Sequence, residues 1–360
     1  MKYIDEYRNK NLISSLAEQI RRSARQDYTF MEVCGGHTAA IHRFGIPSML
    51  PSEIRLISGP GCPVCVTGTD FIDKAVFYSG LNGIILTTFG DLMRVPGSAS
   101  SLERKKAEGA DIRVVLSGLD ALGVARDNPA NKVIFLAIGF ETTAPGTAVT
   151  IKQAEAEEID NFFILNAHKV MPPAMEAILR EGINLNGFIC PGHVASITGS
   201  AIFDFIPEKY KTGCVITGFE PSDLLQSVLM LITQVNQKSP AVQIQYSRAV
   251  TVEGNRVAQR YMSEVFETCD TYWRGLGIIP RSGLRLTNEF ERFDADKKIP
   301  AGNIVPEDNE LCICGDVLRG LKTPPECPLF AGACIPEHPT GACMVSNEGS
   351  CNTWYKYRRT

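Results

Sequence analysis

Over the first two thirds of the chain, short apolar runs alternate with helical stretches, and nearly every run ends in a loop rich in glycine or proline. T-F-M-E-V is followed by C-G-G-H-T from Cys34, I-R-L-I-S by G-P-G-C-P-V-C from Gly59, and G-I-I-L-T-T by F-G-D from Phe89. Strands separated by helices predict parallel sheet, whose ligand crevice lies in the loops beyond the carboxyl ends of the strands. Ahead of them, Leu12, Ile13, Leu16 and Ile20 fall at helical spacing, so residues 11–25 are expected to form an amphipathic helix with Ser15 and Glu18 as its capping box.

The pattern then repeats. His37 is matched by His168 after F-F-I-L-N-A, Pro60-Gly61 by Pro191-Gly192 after G-F-I-C, and Gly90 by Gly218 after C-V-I-T, at offsets of 128 to 131 residues. The expected fold is α/β, with two similar parallel-sheet domains facing a cleft, residues 27–130 and 131–248. The strand K-V-I-F-L-A-I and its loop G-F-E-T-T-A-P, from Gly139, have no counterpart in the first copy and should lie near the junction. Thr142 or Thr143 can cap a helix there, with Pro145 in its first turn. Beyond Arg248 the alternation fades, so residues 249–360 are expected to form a smaller irregular domain, on which the helix of segment 1–26 packs.

Composition narrows the function. The 360 residues suffice for two or three domains with their own cores. A net charge of -4, with no basic stripe interleaved with aromatics, argues against nucleic acid. The longest apolar run, 133–140, is far short of the ~20 residues of a membrane helix, and M-K-Y-I-D-E-Y-R has carboxylates where a signal peptide needs apolar residues. A cytoplasmic protein is expected, its cysteines reduced unless they are chemically used.

Six of the twelve cysteines fall between Cys312 and Cys351, in a segment broken by Pro324, Pro325, Pro328, Pro336 and Pro339. That density is not core packing; the segment is loop held by a staple. Disulfides suit secreted chains, and zinc usually takes paired C-x(2-4)-C knuckles, whereas here only Cys312 and Cys314 are close. Scattered thiolates fit an iron-sulfur cluster better, with zinc and structural thiols remaining as alternatives.

The strand-end loops carry the other candidates. Cys34 follows a strand where two glycines permit a sharp turn, and a nearby His37 would favour its thiolate. Cys62 and Cys65 form a C-x-x-C on one loop, suited to redox exchange or to adjacent metal ligation. Asp91, Glu141, His168, His193 and Glu220 all sit at strand ends and can line the same crevice. Cys190, Cys214 and Cys269 lie in apolar settings and read as core. Neither G-x-x-x-x-G-K-[ST] nor a strand-following G-x-G-x-x-G is present, which disfavours a nucleotide enzyme.

Taken together, C-G-G-H-T, G-P-G-C-P-V-C, F-G-D-L-M-R-V-P-G-S, G-F-E-T-T-A-P, N-A-H-K-V-M-P-P, P-G-H-V, G-F-E-P and C-I-C-G-D-V-L-R-G resemble the HypD family of [NiFe]-hydrogenase maturation proteins over essentially the whole chain. The resemblance implies a scaffold on which an iron carrying two cyanides and one carbon monoxide is assembled, with a small HypC-type chaperone and a HypE-type cyanide donor as partners. It implies Cys34 as the iron-binding thiolate and Cys62 with Cys65 as a redox pair. It also implies a 4Fe-4S cluster on Cys312, Cys327, Cys334 and Cys351, making 249–360 the cluster domain. Many relatives carry a second histidine where this chain has Ala39. Cys314 and Cys343 are left over near the cluster and are candidates for a redox relay. A thiol-disulfide redox protein resembling ferredoxin:thioredoxin reductase is the alternative; it would have no need of Cys34.

Overall fold

Residues 5–302 and 304–357 are described in a computed structural model. Among them nine strands form two parallel sheets. The first contains β1 (Tyr28–Glu32), β2 (Ile54–Ser58), β7 (Gly187–Pro191), β8 (Gly213–Thr217) and β9 (Val242–Ile244), in the order β2-β1-β7-β8-β9. The second contains β3 (Ile84–Thr88), β4 (Ile112–Val114), β5 (Lys132–Gly139) and β6 (Phe162–His168), in the order β4-β3-β5-β6. Helices cover both faces, so the central strands are buried throughout: β5 is exposed only at Lys132, and β3 and β7 nowhere.

The α/β class and the parallel sheets agree with the sequence reading; the division at residue 130 does not match the sheets. The chain leaves the first sheet after β2, builds all of the second, and returns at β7. The reason is pairing. β1 takes β7 as its inner neighbour, with Phe30, Met31 and Glu32 opposite Gly187, Phe188 and Ile189, and Gly187 has no side chain to displace Phe30 or Leu231. The repeated landmarks therefore mark equivalent strand-end loops rather than two self-contained units.

The segment after Arg248 is also more regular than expected. β10 (Phe266–Trp273) and β11 (Gly277–Leu286) form an antiparallel ribbon, and Val265, Phe266, Leu284, Leu286, Phe290 and Phe293 complete the core on one face of the second sheet. Their alternation is masked in sequence by polar outward positions such as Glu267, Asp270 and Arg285. Only the part beyond it matches the proline-broken segment expected around the cysteines.

The first helix, Lys10–Ser23, packs mainly on the helix Pro221–Gln237 rather than on the C-terminal segment. Leu16 and Ile20 enter the core shared with Leu224, Leu225 and Val228, and the Asn236 amide donates to the Ser23 carbonyl at 2.9 Å. Its cap is Asn9, whose side chain accepts from the amides of Asn11 and Leu12; Ser15 and Glu18 lie within the helix.

At the edge of the first sheet, Arg248 forms a bidentate pair with fully buried Asp223, at 2.9 and 2.5 Å, and lies between the rings of Tyr7 and Tyr246. Asp223 also accepts from the Glu220 amide and Gln245. Removing the carboxylate leaves a cation and two donors unmatched, so Asp223→Ala is expected to lower stability by about 3–5 kcal/mol in chemical denaturation. A loss below about 1 kcal/mol would show that the pair is screened as a surface bridge is.

Candidate functional site

Loops at the carboxyl ends of β1, β2, β3, β5 and β7 converge between the sheets on a cleft of about 530 Å³. Cys34, Gly61, Asp91, Thr142, Thr143 and His193 line it, together with Glu348 from the C-terminal segment. Cys34 is half-buried and is the N-cap of the helix Gly35–Arg43, in extended conformation. Two close approaches fix its place. A Cβ at Gly61 would collide with the Cys34 backbone, and one at Gly35 with Glu348; the Gly35 amide also donates to the Gly61 carbonyl at 3.0 Å. The glycines of C-G-G-H-T and G-P-G-C thus let two loops and the C-terminal segment meet at one sulfur.

The electrostatics differ from the expected Cys34–His37 pair. Burial, reinforced by the Glu348 carboxylate, pushes the Cys34 thiol up to about 12, so it is a thiol until something replaces its proton. His37 is fully buried, and its Nε2–H donates to the carbonyls of Thr217 and Gly218 at 3.1 Å each. Burial holds it down at about 4, hence neutral. It ties the Cys34 helix to β8. Its ring stacks on Phe219 at 4.5 Å, and His193 also stacks on Phe219, at 3.9 Å. Opposite, Ser346 bridges the loops by donating to Asp91 and accepting from the Glu348 amide.

Cys62 and Cys65 are joined as a disulfide, with Cα atoms 5.2 Å apart, across the start of the short helix Pro63–Val66. Both are buried, and Pro63 and Val64 between them line the cleft. Against this helix packs the helix Ala342–Val345, which carries Cys343. Arg274 braces the same corner, its amide and Nε donating to the carbonyls of Val66 and Thr67.

All six C-terminal cysteines line a second cavity, completed by apolar side chains such as Ile313, Leu329, Phe330 and Met344. Among the described residues no three histidine, cysteine or acidic side chains close around a single metal ion; what the sulfurs share is a volume. The donor set fits a thiolate-bound cluster. Gly341 faces it where a Cβ would lie 2.8 Å from Cys312 Sγ, and the Thr340 amide donates to Cys334 Sγ at 3.3 Å, a bond of the kind that tunes cluster sulfurs. Cys314 and Cys343 bring their sulfurs to 2.8 Å.

The HypD family model, described as "Hydrogenase formation hypA family", matches residues 11–358. This chain belongs to the HypD family. It is 46% identical to a hydrogenase maturation factor HypD2 of Bradyrhizobium diazoefficiens, covering 100% of this chain and 97% of that protein. It is 46% identical to hydrogenase maturation factor HypD of Cupriavidus necator, covering 100% and 98%, and 43% identical to that of Escherichia coli, covering 100% and 99%. No helix among the described residues is long and apolar enough to cross a membrane.

Three of the expected cleft residues stand elsewhere in this HypD-family chain. His168 is buried, its Nδ1–H donating to Asn166 Oδ1 at 2.6 Å while Nε2 accepts from Thr147, and burial lowers it to about 3. Glu141 is buried behind the cleft loop and accepts from the Met171 amide at 2.9 Å, capping the helix Met171–Arg180; burial raises it to about 7. Glu220 pairs with Arg8 on the outside. Thr143 is the N-cap of the helix Ala144–Ala156, but its hydroxyl turns back to the carbonyls of Ile138 and Phe140. Glu32, Phe219 and Glu348 went unnoticed in the sequence; Glu32 and Glu348 lie two and three residues before cysteines, which is the signal that was available.

The Gly61 contact is testable by a matched pair. Gly61→Ala is expected to cost about 2 kcal/mol or more in denaturation, because the obstruction is backbone. Gly90→Ala, whose Cβ would meet only Val114 Cγ1 at 3.7 Å, should change stability by less than about 0.5 kcal/mol. Equal effects would remove the special standing of the Gly61–Cys34 approach.

Proposed function

We propose that this protein acts in hydrogenase maturation as the scaffold on which an iron with two cyanides and one carbon monoxide is assembled, with Cys34 holding that iron as cargo. The observation that carries the reading is Cys34 at the wall of a cleft large enough for such a fragment, a wall that also includes Pro63 and Val64 between the two disulfide cysteines. A soft thiolate suits low-valent iron, and iron binding supplies what burial withholds, since the metal displaces the thiol proton. One protein sulfur leaves the iron under-coordinated, which a cysteine of a small HypC-type chaperone would remedy from the open side. A HypE-type protein would bring the cyanide.

Cys312, Cys327, Cys334 and Cys351 would hold a 4Fe-4S cluster, which when bound supplies single electrons. The chain's own sulfurs can move electrons in pairs. Oxidation of the Cys314–Cys343 dithiol forms one disulfide and releases two electrons and two protons, the quantity that reduces the Cys62–Cys65 disulfide to two thiols. Cys343 rides on a helix that touches the one spanned by Cys62 and Cys65. Exchange with a disulfide on a separate protein is disfavoured, because Cys62 and Cys65 are 3% and 0% exposed.

Infrared spectroscopy of anaerobic protein prepared with its partners tests the cargo site. Cys34→Ala is expected to keep the cluster's visible absorption and to lose the stretches of metal-bound cyanide and carbon monoxide. Loss of the cluster absorption in that variant would overturn the assignment.

For the second pair, Cys314→Ser and Cys343→Ser are each expected to impair assembly as much as the double variant, with the cluster retained. Near-normal assembly in the double variant would reduce these sulfurs to packing.

A further inference from the structure

We infer that Glu32 is a positioning residue for Cys34: its carboxyl ties the Cys34 amide to the first turn of the Cys34 helix and thereby holds the sulfur at the cleft wall. The inference rests on the cargo reading of Cys34 only for its functional meaning. Its basis is geometric.

An N-cap residue ordinarily turns its own side chain onto the first free amides of its helix. Cys34 occupies that position, yet its sulfur makes no capping hydrogen bond. The turn is instead fastened at Cys34's own amide, by the residue two places earlier. Glu32 Oε2 accepts from the Cys34 amide at 3.0 Å, and Oε1 accepts from Thr38 Oγ1 at 2.5 Å, one turn into the helix. Glu32 is itself the last residue of β1, opposite Ser58 of β2, and its carbonyl accepts from the Gly59 amide at 2.7 Å. The carboxyl therefore pins both ends of the turn to the sheet.

It does so from behind. Glu32 is 2% exposed and lines no part of the Cys34 cleft. It faces a separate small cavity with Thr38, Ser58, Val317 and Trp354, which Cys34 does not touch. Shortening Glu32 enlarges that rear cavity and leaves the part-buried Cys34 amide unmatched. The turn then relaxes backward and draws the sulfur away from the cleft. No charge change is required, so glutamine, which keeps the length and an acceptor, should serve.

The test reads the sulfur without any iron cargo. Alkylation of Cys34 by iodoacetamide is followed by peptide mass spectrometry in cluster-loaded protein prepared without partners. Half-buried Cys269, on the ribbon, is the internal reference, so general loosening moves both thiols alike. Glu32→Ala is expected to slow Cys34 relative to Cys269 by roughly tenfold, and Glu32→Gln to restore it to within about twofold. Thr38→Val, which spares the bond to the Cys34 amide, should also stay near the parent rate. If the alanine variant does not fold, Glu32→Asp, one methylene short, carries the same expectation of slowed reaction. A parent-like rate in the folded alanine or aspartate variant overturns the inference, as does a glutamine or Thr38→Val variant as slow as alanine. Because no iron fragment is involved, failure of the cargo reading leaves this result intact. Infrared spectra of loaded Glu32→Gln then connect the two.

Discussion

The site depends on how closely two loops can approach. Gly61 lies against the backbone of Cys34 with no room for a Cβ, and Gly35 lies against Glu348 in the same way. Dispersion and hydrogen bonding act over a few ångströms, so these contacts decide whether strand-end loops merely neighbour one another or make a common wall. From the Gly61 contact follows the direction of the Cys34 sulfur, and from the Gly35 contact the delivery of a carboxylate to it from the far end of the chain. The disulfide at Cys62 and Cys65 sits one residue beyond Gly61 and inherits its position.

Much of this was legible in the sequence because the relevant signals are local. Apolar runs ending in loops rich in glycine or proline identified seven of the nine strands of the parallel sheets, and the C-x-x-C lies where one of them ends. What the sequence did not convey is which strand pairs with which. β1 beside β7 is a contact between residues more than 150 positions apart, and no local pattern encodes it. The ribbon β10–β11 was obscured for another reason: one of its faces is solvated, and charged residues interrupt the alternation.

Side-chain roles were legible in proportion to how much they depend on strand position alone. Asp91 and His193 reach the cleft because the end of a strand puts them there. His37 and His168 also stand at or just beyond strand ends, but carbonyl or amide oxygens near their rings give each a buried partner, and burial makes neutral struts of both. Glu32 shows the converse case. It reads as an ordinary strand residue, and only the three-dimensional turn reveals that its carboxyl spans Cys34 and Thr38.

The double crossing of the chain between the sheets has a consequence for synthesis on the ribosome. Cys34 emerges early, but β7, the inner partner of its strand, comes more than 150 residues later, and Glu348 comes near the end. Domains form as their contacts become available during elongation, and the first sheet cannot close until β7 has been translated. A nascent chain therefore displays a cysteine with no cleft around it. The wall around that sulfur is therefore completed only when the polypeptide is nearly finished, which ties assembly of the site to the end of translation.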